Sequence, residues 1–318
     1  MNKFTSLLLF VTITFLAASC NSEQTSDRPV GTSIDSTELL GDVEYLSSDE
    51  LEGRRTGEPG NKLAQDYIEE RFQSLNLQMI GESYRHLFDF TNSRTGEEFV
   101  DAVNLIGFVQ GSTHQDQFIV VMAHYDHLGI ANGEIFNGAD DNASGTGGLL
   151  AAARYFSEST PQNSILFIAF DAEEQGLSGA RAFIENPAIP LDQIAVTVNM
   201  DMISTNFDNQ LYAVGTAHYP FLKPLIEESV ADAPITVTFG YDTDDWPQNW
   251  TLSSDHGPFH QQGIPFVYFG VVDHAHYHQP TDTFETINPD FYLKAVQTII
   301  GVIENLDGNL DQIVESTD

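Results

Sequence analysis

The sequence predicts an α/β fold: a three-layer αβα sandwich around a mixed, largely parallel central sheet. Two observations carry this. Short runs rich in Val, Ile and Phe alternate with longer segments of helical period. Several of those runs are apolar on nearly every residue, as strands are when helices cover both faces of their sheet.

Taken in order, Thr37 to Ser47 and Pro59 to Leu75 repeat apolar residues at helical spacing, with Leu63, Ala64, Tyr67, Ile68, Phe72 and Leu75 on one face of the second. These are two opening helices. Strands follow at Ala102 to Val109, Gln117 to Ala123, Ser164 to Phe170, Ile194 to Asn199 and Pro265 to Phe269, and helices at Gly147 to Phe156 and Leu177 to Ile184 lie between them. Asn288 to Leu306 carries Phe291, Ala295, Ile299 and Val302 on one stripe and closes the domain as a helix. There is no internal repeat and no second-domain linker.

The 318 residues include 12 Lys plus Arg against 47 Asp plus Glu, a formal charge of −35. Such a field repels phosphate backbones and anionic lipid surfaces, which argues against nucleic acid as a partner. At 41% apolar residues the chain has the makings of an ordinary core.

Residues 1–20, MNKFTSLLLFVTITFLAASC, combine an early Lys, an apolar run from Leu7 to Leu16 and small residues before Cys20, the only cysteine. That pattern is a signal peptide, and its apolar run is short for a membrane span, which needs about 20 residues. It resembles a bacterial lipoprotein signal, with Ala17 where Leu is usual, and the resemblance implies cleavage at Cys20 and a lipid there as the only membrane attachment. Residues 21–35 are polar and aperiodic, a tether. The fold is expected over 36–318 as one domain, without an intrachain disulfide, on an extracytoplasmic, periplasmic or cell-surface, face of a bacterial membrane.

In open α/β sheets ligands bind beyond the carboxyl ends of the strands, so the residues that follow each strand are informative. After Ala123 come His124, Tyr125 and Asp126; after Phe170 come Asp171, Glu173 and Glu174; after Asn199 comes Asp201. GADDNASGTGG, residues 138–148, holds Asp140 and Asp141 before a helix, and DHAHYHQPTD supplies His274, His276 and His278. Imidazoles and carboxylates on one rim suit zinc, whereas calcium asks for oxygen alone. Where carboxylates outnumber imidazoles, one can bridge two metals about 3.5–4 Å apart.

Six segments in order, AHYDHLG (123–129), GADDNASGTGG, FDAEEQGLSGARAF (170–183), NMDMIS (199–204), SSDHGPF (253–259) and HQPTDT (278–283), resemble the dizinc aminopeptidase family of metallopeptidase clan MH. That family includes secreted bacterial leucine aminopeptidases and the related glutaminyl cyclases. The resemblance runs from about Leu39 to Leu306. It implies two zinc ions, one bound by His124 and Asp201, the other by Glu174 and His278, with Asp141 bridging both and a cis peptide after Asp141. Asp126 would accept the other N–H of His124 and fix its tautomer. Glu173 would be the general base that activates a metal-bridging water.

The implied activity is an exopeptidase acting on peptides, an aminopeptidase with an apolar preference. Within the same fold the alternatives are a single-zinc glutaminyl cyclase, or a carboxypeptidase or dipeptidase that would need a cation for the substrate carboxylate, Arg54 or Arg55 being the available ones. A silent scaffold would lack a ligand or the base, and none is missing.

Other residues carry plainer expectations. Asp140 caps the following helix, His274 and His276 lie on the surface or rim, and His127, His256 and His260 bond or pack. Tyr241 to Trp250 is either a loop over the site mouth or a surface loop. Ser254 and Asp255 have no role that the sequence derives.

Overall fold

The computed structural model describes residues 34–317. The expected signal, the lipid site Cys20 and most of the tether lie outside the described residues. Helix α1 (Ser36–Leu46) is started by Asp35, whose carboxylate accepts from the N–H groups of Thr37 and Glu38 and so satisfies donors that a helix start leaves free. Pro59 opens α2 (Pro59–Ser74), where its missing N–H costs nothing.

The strands and remaining helices follow as β1 (Arg85–Thr91), β2 (Glu98–Val109), β3 (His114–His124), a short hairpin of β4 (Gly129–Ala131) and β5 (Glu134–Phe136), α3 (Gly145–Glu158), β6 (Asn163–Phe170), α4 (Ser178–Glu185), β7 (Ile194–Met200), β8 (Gln210–Val214), α5 (Leu222–Ser229), β9 (Thr236–Phe239), α6 (His256–Gln261), β10 (Phe266–Gly270), α7 (Pro289–Gly308) and α8 (Leu310–Thr317). The main sheet runs β1-β2-β6-β3-β7-β10-β8-β9. Its centre, β6-β3-β7-β10, is parallel, as is β8 with β9, while β1, β2 and β8 join their neighbours antiparallel.

The layers are visible in the strand residues themselves. In β3 and β6, Ile119, Val121, Ala123, Ile165, Phe167 and Ala169 pack with side chains of α1, α2, α3 and α7. Their alternates Val120, Met122, Leu166, Ile168 and Phe170 pack with Ala180 and Phe183 of α4 and Phe259 of α6. A strand sends successive side chains to opposite faces, and here both faces are buried, which explains why the central strands carry no polar alternation.

The expected strands and helices are present. The expectation missed the strands β1, β8 and β9, the β4–β5 hairpin and the short helices α5, α6 and α8. β1 leaves most of its side chains partly or fully exposed, and Leu87 is among the exposed apolar residues. Such an edge strand lacks the continuous apolar run that marks the centre.

Candidate metal centre

Register brings the strand ends level. His124 lies opposite Phe170, and Met200 opposite Phe269, so the residues after β3, β6 and β7 open onto one rim. Behind β6 the chain turns through Ala172 in the left-handed region, with Asp171 accepting from the Ala172 N–H at 2.8 Å. The carboxylate of Asp171 is itself held by Thr56 and Asn61. That turn aims Glu173 and Glu174 back over the sheet edge. Met202 makes the equivalent left-handed turn after Asp201.

The loop that carries Asp141 is tied at both ends. Asp282 accepts from the N–H groups of Asp140 (3.0 Å) and Asp141 (3.1 Å). Asn142 donates to the Met200 carbonyl and accepts from Gly145 and Met202. The peptide between Asp141 and Asn142 is cis, as the family resemblance implies.

Two groups of donors result. His124, Asp141 and Asp201 bring ligand atoms within 4.8 Å of one another, and so do His127, Asp141 and Glu174. His124 Nε2 stands 3.4 Å from Asp141 Oδ1 and 3.4 Å from Asp201 Oδ1. On the other side of Asp141, His278 Nε2 lies 3.1 Å from its Oδ2 and 3.4 Å from Glu174 Oε1. All five residues named as metal ligands from the sequence therefore converge, with Asp141 between the two groups. Tetrahedral sites with bonds of about 2.0–2.1 Å have donor-to-donor edges of roughly 3.4 Å, which these separations match. Asp201 Oδ1 and Glu174 Oε1 are buried without a hydrogen-bond partner, an expensive state that a cation relieves. The residues fit zinc in kind and in spacing.

His124 Nδ1 faces the Asp126 backbone carbonyl at 3.2 Å, whereas the Asp126 carboxylate is 3.6 Å away. Either contact puts the proton on Nδ1 and leaves Nε2 as the lone-pair donor. The carboxylate is engaged elsewhere: it accepts from the backbone N–H groups of Glu173 (3.0 Å) and Glu174 (3.3 Å), so it fixes both residues as well as standing beside His124.

A cleft of about 440 Å³ opens over these groups, lined also by Met202, Gln248, Trp250, Tyr268, Val271 and Asp273. Glu173 lines it beside the donors. Burial, opposed by His124 and reinforced by Glu174, Asp201 and Asp255, pushes its carboxyl well above the usual range. Of the segment 241–250, Gln248, Asn249 and Trp250 reach the cleft. Tyr241 and Trp246 instead stack beneath, Tyr241 lying 3.9 Å from the Trp250 ring, and Asp242 accepts from the N–H groups of Gly215 and Ala217.

Several residues have partners that the sequence did not reveal. Asp140 is not a helix cap: the tight turn over Ala139–Ser144 points its carboxylate at the 204–205 loop, where Oδ1 accepts from Ser204 N–H, Ser204 O–H and Thr205 N–H. Its other oxygen lies 2.9 Å from His274 Nε2, which is half-buried rather than on the surface. Asp255 is fully buried with both carboxylate oxygens unpaired, and burial pushes it well up. Arg54 is fully buried and donates to the carbonyls of Tyr125 (2.7 Å), Asn137 (2.6 Å), Gly138 (3.0 Å) and Leu46, so it cannot meet a substrate carboxylate. Burial lowers it to about 10, against the pull of Asp126, Asp282, Asp141 and Glu174. Arg55 pairs with Glu58 and Glu97. Asp282 falls within the HQPTDT segment, so its position was legible and its role was not.

The fold and this rim define an α/β protein with clustered imidazole and carboxylate donors at the ends of its parallel strands. The chain belongs to peptidase family M28, whose model matches residues 104–303, more than half of its length. Aminopeptidase YwaD of Bacillus subtilis is 32% identical over 201 residues, 59% of this chain and 41% of that protein, so the match spans about two-fifths of the relative. Among solved structures, a zinc aminopeptidase from Bacillus subtilis superposes with a TM-score of 0.68 at 17% identity, covering 85% of this chain and 94% of the other. The glutaminyl cyclase of Porphyromonas gingivalis does so with 0.70 at 18% identity, over 85% and 98%. At such identities the likeness is one of fold.

Proposed function

We propose that this chain is a zinc-dependent, two-metal aminopeptidase that removes N-terminal residues from peptides outside the cytoplasm. The carrying observation is the content of the cleft, where Glu173 shares one cavity with five zinc-type donors and no Lys or Arg. His124, Asp141 and Asp201 would hold one zinc, and Asp141, Glu174 and His278 the other. Zinc bound there supplies Lewis-acid polarisation of the scissile carbonyl and lowers the pKa of the attacking water toward about 7.

The chain's own residues do the rest. Glu173 takes a proton from the attacking water and carries it to the departing amine. Asp126 keeps Glu173 in place through its backbone N–H. Asp273, the lining carboxylate assigned neither to a metal nor to proton transfer, would meet the α-ammonium of a substrate, and no Lys or Arg lines the cleft to pair with a substrate carboxylate. Met202, Trp250, Tyr268 and Val271 offer apolar walls to the first side chain.

The same reading places the mature chain on an extracytoplasmic membrane face through a lipid on Cys20, supported by the apolar run from Leu7 to Leu16 and the small residues before the single cysteine. No helix among the described residues is long and apolar enough to cross a membrane.

Leu, Ala and Glu p-nitroanilides, offered with free and with N-acetylated amines, test the substrate class. Free amines should turn over at least about 100-fold faster, the loss of roughly 3 kcal/mol of transition-state binding. Equal cleavage of blocked substrates, or cyclisation of N-terminal Gln without hydrolysis, would overturn the reading in favour of another peptidase or the cyclase.

A further inference from the structure

Of the carboxylates that line the cleft, Asp273 alone is assigned neither to a metal nor to proton transfer, and a residue from a different loop holds it. Gln248 Nε2 donates to Asp273 Oδ2 at 3.1 Å, and Gln248 Oε1 accepts from Trp250 Nε1 at 2.9 Å. An indole N–H can only donate and an ionised carboxylate can only accept. The Gln248 amide therefore lies in one sense alone, its carbonyl to Trp250 and its NH₂ to Asp273. Among the described residues no other hydrogen bond and no Lys or Arg engages the Asp273 side chain, which leaves Oδ1 free.

Trp250 is a firm base for this chain of contacts. It is buried, its backbone N–H donates to the Tyr241 carbonyl at 2.6 Å, and its ring stacks on Tyr241 with centroids 3.9 Å apart. Its own carbonyl accepts from His256 Nε2 at 2.9 Å. Gln248 and Asp273, by contrast, are exposed and both face the cleft. A fixed aromatic thus carries a polar arm out to a carboxylate that a ligand can reach.

We propose that Gln248 is a positioning residue for substrate recognition: hung from the Trp250 indole, it holds Asp273 by one oxygen and leaves the other for the α-ammonium of the N-terminal residue. The inference rests on the aminopeptidase reading and adds to it the means by which the amine is read. An exposed aspartate on its own exchanges rotamers, and an ammonium that binds it must first order it; a carboxylate already held loses less entropy on binding. Trp250 has two tasks in consequence. Its ring is a wall for the first side chain, and its N–H fixes, through Gln248, the receptor for the amine, so the two parts of the subsite share one anchor.

Competitive inhibition of the zinc-loaded full-length chain tests this with leucinol and 4-methylpentan-1-ol, which differ only by the amine. In the wild type the amine should improve inhibition by about 10-fold or more, the worth of a hydrogen bond to a charged group. Gln248→Ala and Asp273→Asn should each remove most of that preference and raise KM for Leu p-nitroanilide far more than they lower kcat. Trp250→Phe, which keeps a ring and deletes the N–H, should remove part of it, and should add little to Gln248→Ala when the two are combined, as members of one chain of contacts do. Gln248→Glu keeps the acceptor for Trp250 and loses the donor to Asp273, so it should behave as Gln248→Ala does.

An amine preference retained in folded Gln248→Ala contradicts the proposal. So does equal weakening of both inhibitors, the mark of a wall that has merely shifted, and so does recovery in Gln248→Glu, because added negative charge would then be enough. A wild type with neither an amine preference nor turnover of Leu p-nitroanilide overturns the aminopeptidase reading together with the inference.

Discussion

Arg54 shows how single residues sustain this site from outside it. A guanidinium with no exposed surface is costly, and here four backbone carbonyls and the surrounding carboxylates offset the cost. Three of those carbonyls, on Tyr125, Asn137 and Gly138, belong to the segments that carry His124 and Asp141, so the same cation that neutralises the acids also fixes their loops. Arg54→Met should lower stability by about 3–5 kcal/mol in urea denaturation, because it strands buried carbonyls and removes the central positive charge. Arg54→Lys should recover only part, since an ammonium cannot span a fork of acceptors. A loss below about 1 kcal/mol would show that the site does not depend on this charge.

His256 gives a second residue-scale test. Its Nε2–H donates to the Trp250 carbonyl at 2.9 Å, Nδ1 faces Asn199 Nδ2, and the ring stacks on Tyr268. Burial lowers it to about 3. The folded pKa lies below the unfolded value of about 6.5, so the unfolded chain takes up a proton that the native one refuses as pH falls. Full stability is present above about pH 6.5 and is lost progressively toward pH 3, with a slope approaching 1.4 kcal/mol per pH unit from this group. Urea midpoints between pH 7 and 5 should fall less steeply for His256→Gln than for the wild type. Parallel slopes would mean that His256 is protonated in the native state.

At the scale of elements, what could be read from the sequence follows from burial. β3, β6, β7 and β10 are covered on both faces and announce themselves as apolar runs, and their level ends made the donor-bearing rim legible as residues that follow strands. The loops were legible by motif and not by contact. Asp140 and Asp282 sit in family-like motifs, yet their partners are 64 and 142 residues distant along the chain, and no local periodicity encodes such pairings. His127 was expected to bond or pack, and only the fold shows that Glu174 and Asp141 are what it faces. The edge strands β1 and β9 were missed because half-exposed strands carry weak patterns.

Over the whole molecule, charge and metal are linked. A chain with a formal charge of −35 gathers several of its carboxylates on one rim, where they repel one another in a poorly hydrated setting. Zinc should therefore stabilise the native state well beyond the site: each position at 100 times its dissociation constant adds about 2.7 kcal/mol. Chelator-treated protein should melt lower than the zinc-loaded form, and added Zn²⁺ should restore the transition where Ca²⁺ does not, given the imidazole donors. An unchanged melting temperature after removal would mean that the rim is structurally indifferent to metal.

The most direct test of the whole account pairs zinc analysis by mass spectrometry with turnover of Leu p-nitroanilide, for the wild type and Glu173→Gln. Two zinc ions per chain in both proteins, with kcat in the variant lower by about 10²–10⁴, would establish Glu173 as the proton carrier of a two-metal peptidase. Comparable turnover in the variant, or loss of its zinc along with its activity, would contradict that assignment.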